Sequence, residues 1–579
     1  MPDGQTASPM DFSSGAATAG SATPRLPRRR KGRMGLNVWT IGTALVSLCV
    51  ALPLLSIVYL AFGDNQDIWS HLARTVLPSY LKTTLGLMIG VGLGTLVIGV
   101  STAWLVTLCR FPGRRIFEWL LLLPIAVPAY IVAFIYTDLL EYAGPVQGML
   151  RDIFGWTSPR AYWFPEVRSL GGAIMMMTLT LYPYVYLLSR AAFTEQCVCV
   201  IEVSRTLGKG PWASFFAVAL PLARPAIVIG VALVLMEALN DFGTVDYFAV
   251  KTFSAGIYDV WLNMNSVAGA AQLSLVLLAF VLVLIAAERW ARGAKSFRHA
   301  TNRYRALPNY KLSGWRALAA FLACALPITL GFIVPGSVLV GYALEHYEVT
   351  LEANYFRHLL NSMTLSVTAA VVALMIGLFL AYSVRISNSP ALRSASRFAS
   401  IGYAMPGAVL AVGILVPFGA FDNAVDGYMR ETFGISTGLL LSGTIAAMTF
   451  GYVARFLALS FGSAEASLTK VTPSIEGASR TLGQGPFGTL KRIHFPLIRG
   501  SVLAAALLVF VDSMKELPMT VVLRPFNFDT LATFTYQYAS DELFEESALA
   551  ALTIVGAGII PVILLTIGIR SSRPGQSQG

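Results

Sequence analysis

Twelve long apolar runs constrain this chain more than anything else in its 579 residues. An α-helix rises about 1.5 Å per residue, so crossing ~30 Å of hydrocarbon takes about 20 residues. Runs of that length fall near 37–62, 81–109, 116–138, 169–193, 223–241 and 268–287, then near 317–342, 358–384, 397–419, 437–460, 498–517 and 547–569. Lipid offers no partner for backbone N–H and C=O groups, so such runs must close their hydrogen bonds internally, as helices do. Composition agrees. Only 13% of residues are charged, against roughly 25% in soluble domains. The 50 Gly and 29 Pro are tolerated in lipid-embedded helices. The expected fold class is an all-α membrane protein of about twelve transmembrane helices.

The net charge of +11 does not point to nucleic acid, because the basic residues stand in short clusters between apolar runs with no aromatic-basic platform. Residues 1–36 read as a disordered cytoplasmic tail ending in Arg25, Arg28, Arg29, Arg30, Lys31 and Arg33. The run at 37–62 exceeds the roughly 7–15 apolar residues of a signal peptide, and no small-residue cleavage site follows it. It reads as an uncleaved first span. Lys and Arg collect on the cytoplasmic side, which places a linker at 288–316 inside, with Arg289, Arg292, Lys295, Arg298, Arg303, Arg305, Lys311 and Arg316. The acids Glu345, Glu348, Glu352, Asp541, Glu542, Glu545 and Glu546 then fall outside, and both termini, including a tail at 570–579, fall inside. Cys49, Cys109 and Cys324 lie in apolar runs, and Cys197-Val-Cys199 lacks companion ligands, so no disulfide framework or metal site follows.

The chain repeats itself. Ser204-Arg-Thr-Leu-Gly-Lys-Gly-Pro211 matches Ser479-Arg-Thr-Leu-Gly-Gln-Gly-Pro486 at an offset of 275, and Ala103-Trp-Leu-Val106 lies opposite Ala381-Tyr-Ser-Val384 at an offset of 278. Both loops follow the fourth span of their half. Six spans preserve orientation, so the halves 37–287 and 317–569 form a parallel repeat about an axis along the membrane normal.

Glu202-Val-Ser-Arg-Thr-Leu-Gly208 is followed by Leu220-Pro221, and Gly477-Ala-Ser-Arg-Thr-Leu-Gly483 by Phe495-Pro496 at the same spacing. Here the sequence resembles the permease subunits of bacterial ABC importers. Their loop reads Glu-Ala-Ala, three residues, Gly, nine residues, then an Ile-x-Leu-Pro-like ending. Val218, Leu220 and Pro221 fill that ending in the first copy, and Ile493, Phe495 and Pro496 in the second. The second copy departs in one place: Gly477 takes the Glu position and Glu476 sits one residue early. Each loop can form a short helix ended by Gly208 or Gly483, where a residue without Cβ turns the chain most easily. Pro221 and Pro496 suit the first turn of the next span, where no backbone donor is needed. The resemblance implies the type I, MetI-like permease fold. It also implies that these loops are coupling helices, through Glu202, Ser204, Arg205, Thr206, Leu207, Gly208 and Pro211, and through Glu476, Ser479, Arg480, Thr481, Leu482, Gly483 and Pro486.

Four acids follow the loops in register. Glu237 and Asp241 lie 16 and 20 residues beyond Pro221, and Asp512 and Glu516 lie 16 and 20 beyond Pro496. At 1.5 Å per residue they stand roughly 24 and 30 Å above the inner face, which places them near the outer rim. Two readings stay open, hydrated helix-end groups or an outer vestibule for a cationic solute, since hard cations favour oxygen ligands. Lys515 can offset Asp512 or Glu516, and Asn240 holds its place in the first half. Asn240-Asp-Phe-Gly-Thr-Val-Asp-Tyr-Phe248, Lys515-Glu-Leu-Pro518, Val522-Leu-Arg-Pro-Phe-Asn-Phe-Asp-Thr-Leu531 and Ala539-Ser-Asp-Glu542 are similar to stretches of ferric-iron importer permeases. His71, His346 and His358 share no ligand spacing, Met175-Met-Met177 reads as packing, and Pro128 and Pro406 are expected to kink the third spans.

The resemblance implies a bacterial inner-membrane importer subunit for ferric iron, or in the same class for thiamine, a polyamine or another small solute. Its partners would be two copies of a cytoplasmic ABC ATPase, a periplasmic solute-binding protein and the lipid bilayer. The sequence has no Gly-x-x-x-x-Gly-Lys-Ser/Thr phosphate loop, so no catalytic or cofactor-binding residue is expected here and ATP would be hydrolysed by the partner subunits. An ion-coupled secondary transporter would instead require ionisable groups near the midplane. A receptor without transport would have no use for duplicated inner loops.

Overall fold

The computed structural model describes residues 37–63, 66–195, 206, 208, 210–292, 310–352, 354–387, 389–469 and 471–571. Eleven helices among the described residues are long and apolar enough to cross a bilayer, and one bent helix pair makes a twelfth span. In the first repeat the spans are Val38–Ala61, Leu77–Leu108, the pair Arg114–Ala126 with Ala129–Phe154, Leu170–Thr194, Trp212–Asn240 and Val267–Trp290. In the second they are Trp315–Glu345, Tyr355–Ser387, Gly407–Phe433, Ile445–Thr469, Pro486–Met514 and Phe544–Leu564. We number them one to six in each repeat. A two-residue parallel pairing of Cys109–Arg110 with Tyr310–Lys311 ties the end of the linker back to the first repeat.

The third spans depart from expectation. Helix Arg114–Leu120 and the 3-10 turn Leu123–Ala126 stop at Val127, and a new helix begins at Ala129, turned by 90°. In the second repeat Pro390–Ala399 and the turn Ser400–Ala404 precede Gly407–Phe433, so the span begins inside the run at 397–419 and extends beyond its end. Proline forces its predecessor toward extended backbone and offers no N–H to the preceding turn. Pro128 and Pro406 therefore cap new helices, both at φ −58° and ψ 142°, rather than kink old ones.

A second departure lies before the fifth spans. Helices begin at Pro211 and Pro486 and run through π turns at Phe215–Ala219 and Leu490–His494 before Pro221 and Pro496. The wider turn makes room for the pyrrolidine ring against the preceding carbonyls. Pro221 and Pro496 thus sit inside a helical run, and Pro486 holds the first-turn place.

Small residues let the spans approach closely. A Cβ on Gly99 would stand 2.7 Å from that of Val185, and one on Gly377 would stand 2.7 Å from that of Ser460. The second and fourth spans of each repeat therefore pack backbone to backbone.

The first spans change places. Thr43 in the first repeat donates to Ser383 Oγ (3.0 Å), and Ser47 to the Ala395 carbonyl (3.0 Å). Conversely, the Leu330 carbonyl in the second repeat accepts from Tyr136 (2.7 Å), and Tyr342 donates to Asp138. Each first span packs on the other repeat, so the two spatial bundles are not the two halves of the sequence.

Candidate functional site

The fifth spans end early. At Asn240 and Met514 the helices stop, and short helices restart at Gly243–Tyr247 and Pro518–Leu523. A restarting helix presents unpaired N–H groups that need an acceptor. Asp241 accepts from the Thr244 and Val245 N–H groups (2.9 and 3.3 Å) and from Thr244 Oγ1 (3.0 Å). Its counterpart Glu516 accepts from the Met519 and Thr520 N–H groups (both 3.1 Å) and from Thr520 Oγ1 (2.8 Å).

These restarts border a solvent-open cavity of about 110 Å³ between the repeats, and all four predicted acids line it. Tyr130, Tyr184, Tyr403, Arg455 and Lys515 line it too. Arg455 is buried on the fourth span of the second repeat and donates to Glu516 (3.1 Å) and across the repeats to Asn240 (2.9 Å). The Gly407 N–H also donates to Asn240 Oδ1 (2.6 Å). Lys515 pairs with Asp512 (3.0 Å), and Glu237 accepts from the Tyr403 hydroxyl (3.1 Å).

The rim placement is corrected by this geometry. Thr180, Tyr184, Arg455 and Phe456 share the cavity with the acids and stand midway along Leu170–Glu195 and Ile445–Thr469. The spacing argument assumes one unbroken helix from the inner to the outer face, whereas the fifth spans end inside the bundle. Asp241 and Glu516 stand at helix ends, and those ends are interior ones.

At the duplicated loops, Glu202, Ser204, Arg205 and Leu207 lie outside the described residues, as do Cys197 and Cys199. Thr206 is helical, and Gly208 has φ +77°. In the second repeat, helix Pro473–Thr481 carries Glu476, Ser479, Arg480 and Thr481. It ends with exposed Leu482 and with Gly483 at φ +76°. The Gly483 and Gln484 N–H groups return to the Arg480 and Ser479 carbonyls (3.0 and 3.1 Å), closing a left-handed helix stop that suits glycine. Ser479 Oγ bonds to Thr489 (2.8 Å). Glu476 pairs with Arg385 at the end of the second span, and Arg385 also donates to the Leu468 and Val471 carbonyls. Buried His494 stands 3.3 Å from Glu476 without hydrogen-bonding geometry.

Residues 95–292 match the family described as "Binding-protein-dependent transport system inner membrane component". Over that segment the chain is similar to this permease family. It is similar along nearly its whole length to the Fe(3+)-transport system permease protein FbpB 2 of Haemophilus influenzae, at 26% identity over 91% of this chain and 97% of that one. The ferric transport system permease protein FbpB of Actinobacillus pleuropneumoniae is 22% identical over 83% of this chain and 70% of its own. The molybdenum transport system permease protein ModB of Escherichia coli is 26% identical over 34% of this chain and 85% of its own, the size of one repeat.

Similarity to these permeases now carries a distinction that depth no longer can, because mid-depth acids are also what an ion-coupled transporter would show. Sequence reasoning missed Arg455, Tyr403, Tyr184 and Tyr130 in this chain. The available signal was a lone arginine inside the apolar run 437–460, since an intramembrane charge marks a functional position by default. The histidines stay apart: His346 lies 3.6 Å from Glu545, and His358 stacks on Phe534. Met176 and Met177 are packed core, while Met175 is exposed. Among the described residues no three His, Cys, Asp or Glu side chains are placed to hold a metal ion.

Proposed function

We propose that the permease imports ferric iron, received from a periplasmic binding protein and driven by two copies of a separate cytoplasmic ATPase. The duplicated cytoplasmic loop carries this reading. Both copies turn at a left-handed glycine, follow a fourth span, and lead into a fifth span that ends at the cavity. In the second copy Leu482 is 80% exposed at the loop tip, an apolar contact for a docking subunit. The iron assignment is supported by the whole-length likeness to permeases named for ferric transport, whereas the molybdenum permease corresponds to a single repeat. In this reading the chain binds no cofactor and hydrolyses nothing. Closure of the ATPases pushes the loops around Glu202–Pro211 and Glu476–Pro486, and the two bundles, each including a first span from the other repeat, rock between inward- and outward-facing states.

Proteoliposomes holding the permease, its ATPase and binding protein test this. Gly483→Pro, or Arg205→Glu with Arg480→Glu, is expected to leave ATP hydrolysis running while Fe³⁺ uptake falls by about tenfold or more, a barrier change of ~1.4 kcal/mol. Normal uptake by an intact variant assembly would refute the coupling role. Full-rate uptake with no ATPase present would overturn the importer reading in favour of an ion-coupled carrier.

A further inference from the structure

Three of the four cavity acids are already committed. Glu516 is held by Arg455 and by two backbone amides, Asp512 by Lys515, and Asp241 by the amides of the helix it caps. Among the described residues Glu237 has neither a cation nor an amide, only the Tyr403 phenol at 3.1 Å. Lys515 lies within its electrostatic reach but is bonded to Asp512, so Glu237 has no ion-pair partner of its own at a depth where charge is costly.

The surroundings of Glu237 are phenols. Tyr184 and Tyr403 line the same space, and both lie within the electrostatic reach of Glu237 and Asp512. Further along the wall the Tyr130 hydroxyl is buried and has no hydrogen-bond partner, although its residue lines the cavity. A buried hydroxyl without a partner is costly unless something polar occupies the space in front of it. The lining offers oxygen donors and no sulfur or imidazole. Oxygen-only donor sets favour hard, highly charged cations.

We propose that Glu237, Tyr184 and Tyr403, with Tyr130 beyond them, form a passage site for a hard multivalent cation at the interface of the two repeats. The proposal rests on the ferric importer reading and names the side chains that the solute meets on its way. One carboxylate with phenols suits transit rather than storage. Conduction needs binding strong enough to admit the ion and weak enough to release it, and no three-ligand cage of His, Cys, Asp or Glu is present among the described residues. Arg455 and Lys515 stand on the same wall, and their pairing with Glu516 and Asp512 leaves Glu237 and Asp241 without a cation; of the two only Glu237 accepts from no backbone amide among the described residues.

Tb³⁺, a redox-inert trivalent cation that seeks oxygen ligands, is the probe, added to the full-length permease assembled with its ATPase. Wild type is expected to show tyrosine-sensitised Tb³⁺ emission. Glu237→Gln should weaken apparent affinity by about tenfold or more, and Tyr403→Phe and Tyr184→Phe should each lower the emission, within the range seen when metal-site partners are removed. Glu237→Asp keeps the charge and should retain most of the binding. Glu431→Gln, at an exposed helix end, should match wild type. Wild-type affinity in Glu237→Gln, or no saturable emission from wild type, overturns the site. If Glu237-dependent Tb³⁺ binding is present but wild type carries no Fe³⁺, the passage site stands and the iron reading falls. Normal Fe³⁺ uptake by Glu237→Gln does the reverse.

Discussion

The two repeats share their backbone devices and differ in their charges. Pro128 and Pro406 restart the third spans with the same dihedrals, π turns precede Pro221 and Pro496, and Asp241 and Glu516 cap the same short helix. At the cavity, matched positions carry unlike side chains. Thr180 stands opposite Arg455, Asn240 opposite Lys515, and Ile125 opposite Tyr403. Both cations and the phenol on Glu237 come from the second repeat, while Glu237 itself comes from the first. The same pattern recurs at the duplicated loops. Arg385 anchors the second loop through Glu476, whereas the matched position in the first repeat is Thr107. Duplication kept what shapes the helices and released what sets the potential between them.

The comparison breaks hardest at Arg455. Arg455→Ala leaves Glu516 buried without its cation, and removing one member of a buried pair typically costs ~3–5 kcal/mol. Thr180→Ala, at the matched position, removes a hydroxyl bonded only within its own helix (3.1 Å to the Met176 carbonyl) and should cost at most about 0.5 kcal/mol. Thermal unfolding in detergent should separate the two variants clearly. Equal melting points would mean that the charge asymmetry has no energetic weight.

The shared scaffold predicts the opposite behaviour at the close crossings. Gly99→Ala and Gly377→Ala should each cost ~1–3 kcal/mol by overpacking, and by similar amounts, because each Cβ meets backbone at 2.9 and 2.8 Å. A loss confined to one repeat in the same melts would show that the crossings have diverged.

A smaller loss than at the crossings is expected at the caps. Asp241→Ala should cost about 0.5–2 kcal/mol, the usual range for a lost helix cap, and Glu516→Ala more, because Arg455 loses its partner as well. If Asp241→Ala is as damaging as Arg455→Ala, then Asp241 does more than cap.

Much of this arrangement is legible in the sequence, for a physical reason. Spans must be apolar along some 20 residues, so their number and the parallel repeat can be read from hydropathy and motif offsets. Where a span begins is less legible. The turn Ser400–Ala404 is apolar enough to pass for membrane helix, and the true third span runs on into Asp422 and Asp426. Those carboxylates are acceptable because N–H groups at Leu441, Ser442, Thr437 and Gly438 reach back to them. That compensation is tertiary and leaves no local trace. The acids of the cavity were found by register, but their depth was not, since rise per residue counts only along an unbroken helix. Arg455 meets Asn240 from 215 residues away, a distance over which no spacing rule operates.

The exchange of first spans also has a consequence for how the chain is made. Thr43 and Ser47 find their acceptors 340 and 348 residues later. At ~5–20 residues per second of synthesis, that is a wait of roughly 20–70 s. Throughout it the first helix lies in the bilayer with the surface meant for the second repeat still facing lipid. Assembly of the amino-terminal half therefore cannot finish on the ribosome's schedule for that half alone; helices from the middle of the chain's second repeat complete the first.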